Sequence, residues 1–201
     1  MERIKLVYID DLIDNYISNY LSNYKKKDID CLYEEYEIKN TDSYESLIRE
    51  NIVESADIMI IDSMLFENEN VGTKKLSGED LKLILKKLNP FKEIIVVTQH
   101  KEKEDFSNLS KYSHSKYKYM EPKEFFYKKW ESILNDSIDK IILNRRILNK
   151  IEKDKNLDKY LIEKLNNSMH GINDYNELRK EDIDKLIKSF EEMRKSYEKW
   201  L

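Results

Sequence analysis

Three short runs of almost uninterrupted apolar residues constrain this chain more than any other feature: Ile4-Lys5-Leu6-Val7-Tyr8-Ile9, Ala56-Asp57-Ile58-Met59-Ile60-Ile61 and Ile94-Ile95-Val96-Val97. Runs of this length, rich in β-branched residues, suit strands covered on both faces, and strands of that kind belong to parallel sheets. The residues between them recur at helical spacing. Leu12, Ile13, Tyr16, Ile17, Tyr20 and Leu21 predict a helix over about 11–24, Leu47, Ile48 and Ile52 one over 44–54, and Leu81, Ile84, Leu85 and Leu88 one that opens at Gly78 and is closed by Pro90. Cys31 to Ile38 alternates apolar and acidic residues as an exposed strand would, and Lys116 to Met120 is read as a fifth strand, stopped by Pro122. The helix expected between the last two strands is poorly signalled. Strands alternating with helices give an α/β fold with a five-stranded parallel sheet, because each right-handed crossover returns the chain in the same direction.

Beyond Phe125 the strand pattern stops. Trp130, Ile133, Leu134, Ile138, Ile141, Ile142, Ile147, Leu148 and Ile151 form a long amphipathic stripe, and two further helical segments are expected near 156–169 and 174–201. The chain therefore divides into an α/β domain over 1–125 and a helical extension over 126–201. Only three Gly and two Pro among 201 residues agree with long regular elements. A net charge of −4 gives no global basic field for nucleic acid, and 126–201 holds no glycine-turned helix pair with a basic recognition helix, which argues against DNA as a partner. Cys31 is alone, so an internal disulfide and a cysteine-rich zinc site are excluded. His100, His114 and His170 show no ligand spacing. Lys140, Arg145, Arg146 and Lys150, interleaved with Asp139 and Glu152, read as a solvated helix face. With no signal peptide and no membrane-spanning run in the sequence, a cytoplasmic protein is expected.

The ends of the strands carry the chemistry. Ligands of open parallel sheets bind outside the carboxyl ends of the strands, and here those ends present Asp10, Asp11, Asp62 and Thr98. Three converging carboxylates suit a hard cation such as Mg2+, and a cation there would offset the charge of an incoming phosphoryl group. Thr98 could donate a hydrogen bond to a phosphoryl oxygen. The bland alternative is that Asp10 and Asp11 only cap the following helix.

Taken together, Ile4–Asp11, Asp57–Asp62, Ser77-Gly78-Glu79-Asp80-Leu81 and Ile94–Thr98 resemble the receiver domain of two-component response regulators, a flavodoxin-like fold, over about three fifths of the chain. The resemblance implies that Asp62 is the phosphoacceptor and Thr98 the switch hydroxyl. It further implies that Asp10, Asp11, Asp62 and the backbone carbonyl of Met64 hold Mg2+. A histidine kinase or phosphotransfer protein would then be the donor, and the helical extension would act on a protein partner or form a homodimer. Two departures stand out. The family's lysine precedes a proline after strand 5, where Tyr119-Met120-Glu121-Pro122 offers Glu121, and the loop around Glu67 to Lys75 is longer than usual. Two other readings follow: a pseudo-receiver scaffold without phosphorylation, which Glu121 favours, and a magnesium-dependent phosphohydrolase, against which Met64 stands where a second Asp is expected.

Overall fold

The computed structural model describes residues 1–39, 41–65, 77–99, 109–153 and 159–170. Five parallel strands are arranged in the order β2-β1-β3-β4-β5: β1 Glu2–Asp10, β2 Ile29–Glu37, β3 Ile58–Asp62, β4 Glu93–Thr98 and β5 Leu109–Ser110. The helices are α1 Asn15–Ser22, α2 Tyr44–Ile48, α3 Asn51–Ser55, α4 Gly78–Leu88, α5 Pro122–Lys129, α6 Glu131–Glu152 and α7 Lys159–His170. This is the doubly wound, flavodoxin-like order, followed by a helical region. The chain winds one way from β1 to β2 and the other way from β3 onward, which opens a crevice at the carboxyl ends of β1 and β3.

The alternation of side chains along the strands sorts the core into two layers. Leu6 and Tyr8 of β1 face one side, where they join Ile17 and Leu21 of α1 and Phe125, Phe126, Trp130, Leu134 and Ile138. Val7 and Ile9 face the other, with Leu47, Val53, Leu81, Ile84 and Leu85 of α2, α3 and α4. The first layer runs on past residue 125 to Ile141 and Ile142, so α5 and α6 share one continuous cluster with the sheet. At one end of α6, Trp130 is fully buried and its indole N–H donates to the Ser110 carbonyl at 3.0 Å. About four turns further along, Arg145 donates to Asp57 at 2.6 Å and to the Arg3 carbonyl at 2.7 Å, just before β3 begins. Arg145 is therefore a clamp on the sheet, not part of the solvated face expected from its neighbours.

Three sequence expectations change. The helix over 11–24 starts at Asn15, because Asp14 caps it by accepting from the Tyr16 and Ile17 amides. The helix over 44–54 is two single turns, α2 and α3, separated by Glu50 in an extended conformation. Residues 116–120 are not a strand: the Lys116 and Tyr117 amides bond back to Ser113 O and the Met120 amide to Tyr117 O, forming successive turns. The fifth strand lies earlier, at Leu109–Ser110, paired with Val97 and Thr98 of β4. The poorly signalled helix before it, the long loop from Glu67 to Lys75 and the segment 174–201 fall outside the described residues. Among the described residues, no helix is long and apolar enough to cross a membrane.

Candidate functional site

β1 and β3 each end in a carboxylate because their apolar runs stop where the sheet stops. Asp10 and Asp62 are almost fully buried there, at 1% and 7% exposure, and Asp11 is the first residue beyond β1. Ligand oxygens of Asp10, Asp11 and Asp62 all lie within 4.8 Å of one another. They line an open cleft of about 490 Å³ with Leu12, Tyr16, Met64, Lys111 and Tyr112. Thr98 closes β4 one step beyond Val97, the register partner of Asp62, and is 1% exposed.

A cation of the chain's own already sits among these acids. Lys111, which follows β5 directly, places Nζ 2.7 Å from Asp10 Oδ2 and 2.8 Å from Asp62 Oδ1, with its side chain 7% exposed. Its amide donates to the Thr98 carbonyl at 2.8 Å, so the edge pairing of β4 and β5 aims this side chain. This corrects the expectation at Glu121. The residue before Pro122 is exposed at the N-terminal boundary of α5, where proline suits the first helical position. The ammonium between the carboxylates comes instead from Lys111, so the local charge is not reversed. Sequence reasoning missed it because it used the following proline as the signpost, and Lys111 is followed by Tyr112. The usable signal was the Leu109-Ser110-Lys111-Tyr112 stretch, a lysine next to an aromatic residue and two beyond an aliphatic one.

Each acid is held by neighbours. Asp10 Oδ1 accepts the Leu12 amide at 3.2 Å, and Asp62 Oδ2 accepts the Met64 amide at 3.0 Å. Ser63, between the acid and Met64, donates its hydroxyl to Glu79 at 2.8 Å, tying the start of α4 to the end of β3. Burial pushes the Asp62 carboxyl above its usual range, and Asp10 adds to this, while Lys111 pulls the other way. Burial alone would depress the Lys111 ammonium, but the two carboxylates outweigh it and hold the group above its ordinary value.

The donor set fits a divalent cation. Three carboxylates and one ammonium leave two negative charges in the cleft, and every available ligand is the oxygen that hard ions prefer. The raised Asp62 carboxyl also carries a stability consequence. A carboxyl raised on folding favours the native state below its ordinary value of 3.8, and that contribution is lost as pH rises through the folded value. In the absence of divalent ions, Asp62→Asn should therefore melt above the wild type at pH 7, with the advantage shrinking toward pH 4. Melting curves at the two pH values in EDTA check this; a variant less stable at pH 7 contradicts it.

Of the tyrosines that follow β5, Tyr119 is fully exposed, Tyr127 is mostly exposed and Tyr117 is partly buried against the core. A buried aromatic that lines the cleft is Tyr112, whose hydroxyl donates to the Met120 carbonyl at 2.9 Å and lies 3.1 Å from His114 Nδ1.

No protein family profile matches the chain, and no curated protein does. Among solved structures, the chain is similar to the crystal structure of a two component transcriptional regulator AraC from Clostridium phytofermentans ISDg. The identity is 16% and the TM-score 0.41, over 71% of this chain and 98% of that one.

Proposed function

We propose that the chain is a receiver-like signalling module. In this reading Asp62 accepts a phosphoryl group from a histidine kinase, a phosphotransfer protein or a small acyl phosphate, and the carboxyl-terminal helices report the change to a protein partner. The observation that carries the reading is Lys111, bridging Asp10 and Asp62 at the carboxyl end of the sheet. An ammonium there has a task at each stage. Before transfer it offsets the repulsion between the two acids; during transfer it can follow the charge that appears on the phosphoryl oxygens.

Asp10, Asp11 and Asp62, with the Met64 carbonyl, would hold Mg2+, which supplies the remaining positive charge for phosphoryl transfer. The chain's own part is nucleophilic. One Asp62 oxygen bonds to phosphorus as the bond from phosphorus to the donor's leaving group breaks, and that group departs with the electron pair; with acetyl phosphate it leaves as acetate. The Met64 amide, on Asp62 Oδ2 in the resting site, fixes which face of the carboxylate meets the donor. Thr98, as the switch hydroxyl, would receive a phosphoryl oxygen.

Incubation with Mg2+ and acetyl phosphate should add the mass of one phosphoryl group to the intact protein, and Asp62→Ala should abolish the adduct. Lack of an adduct under acyl phosphate and phosphorylated donor protein alike would transfer support to the scaffold reading. The phosphohydrolase reading gains no residue from the geometry, since Met64 occupies the place of the second acid.

A further inference from the structure

Tyr8 lies inside the sheet two residues before the first acid, and the apolar run around it gives no hint of a polar task. The ring is fully buried, yet its hydroxyl donates to Asp10 Oδ2, the same oxygen that Lys111 approaches at 2.7 Å. The phenol also accepts the Asp14 amide at 3.4 Å, at the N-cap of α1. A phenol carries its proton at neutral pH and an ionised carboxylate can only accept, so the hydroxyl is the donor in this contact.

Building on the metal site proposed above, we infer that Tyr8 is a positioning residue that selects which Asp10 oxygen faces the cleft. Oδ2 is taken by two strong donors, the phenol and the ammonium. Among the described residues Oδ1 accepts the Leu12 amide alone, at 3.2 Å, which leaves a lone pair for a divalent ion. Without the phenol, Lys111 alone among the described residues holds Oδ2 inward, and Lys111 is shared with Asp62. The carboxylate is then free to turn. Partners that orient a metal's ligands in this way typically change affinity by about 10–100-fold when removed.

The test is Mn2+ affinity, followed by the enhancement of water-proton relaxation when Mn2+ binds, in the full chain. Tyr8→Phe should bind about tenfold or more weakly while keeping the wild-type circular dichroism spectrum. Leu134→Ala, which removes buried volume from the same layer, should lose stability without losing affinity. Unchanged affinity in a folded Tyr8→Phe overturns the positioning role and leaves the metal site standing; no Mn2+ binding by the wild type overturns both. A measurement on the unaltered chain covers the case in which the variant does not fold. The Tyr8 13Cζ resonance should shift on saturation with Mg2+ while that of Tyr33, which donates to Glu35 at 2.8 Å on the edge strand, stays in place. A stationary Tyr8 resonance would overturn the inference.

Discussion

Lys111→Met should cost about 3–5 kcal/mol at pH 7 in the absence of divalent ions, the magnitude expected when one partner is removed from a buried ion pair. The methionine fills the channel of the lysine stem, so the loss is one of charge. Asp10 and Asp62 then face each other with no cation between them. The pH dependence follows from Asp62. Its carboxyl already lies above the ordinary 3.8 because of burial and Asp10, and the cation that opposed them is gone. One acid therefore takes up a proton readily, and the deficit relative to wild type should be small near pH 4 and fully developed by pH 7. Urea denaturation at both values in EDTA measures it. Mg2+ should restore more stability to the variant than it adds to the wild type, since the ion replaces a charge the variant lacks. A variant as stable as wild type at pH 7, or one indifferent to Mg2+, would contradict this role for Lys111.

Gly78→Ala should destabilise the protein by about 2–3 kcal/mol, although helix propensity alone predicts a gain of up to about 1 kcal/mol. The first residue of α4 abuts the end of β3. A Cβ there would stand 2.1 Å from the Asp62 carbonyl oxygen, 2.9 Å from its carbon and 3.1 Å from the Ser63 Cα. All three obstacles are backbone, and the Gly78 amide is itself bonded to the Ser63 carbonyl at 3.0 Å, so neither side can yield cheaply. Relief comes only by moving α4 away from Asp62. The adjacent Ser77→Ala, which removes an N-cap bonded to the Asp80 amide, should cost only about 1 kcal/mol. Thermal unfolding of the two variants separates the effects: a stabilised Gly78→Ala would show that propensity wins and that the contact relaxes freely.

Legibility followed burial. β1, β3 and β4 were readable because both of their faces are covered, which writes an unbroken apolar run into the chain. β5 has only Leu109 and Ser110 in register with β4, and a two-residue strand leaves no periodicity to read. The alternating 116–120 segment then took its place, although there Tyr119 alternates into water and Tyr117 packs in a turn. That displacement hid Lys111 and put Glu121 in its stead. Asp10, Asp11 and Asp62 were visible because a carboxylate after an apolar run is conspicuous. Tyr8 was not, because an aromatic within such a run reads as core, and its hydroxyl contact depends on the way β1 meets α1.

Helix α6 is fastened at Trp130 to the strand that precedes Lys111, and at Arg145 to the residue just before the strand ending in Asp62. The two fastenings lie about four helical turns apart. Their relative rotation is set by the number of residues between them: removing or adding one would swing the Arg145 side chain by about 100° around the axis and off Asp57. The helix serves as a ruler whose length and phase are both set by the sheet, so that point changes along its exposed side are tolerated more easily than a single insertion anywhere between the two marks.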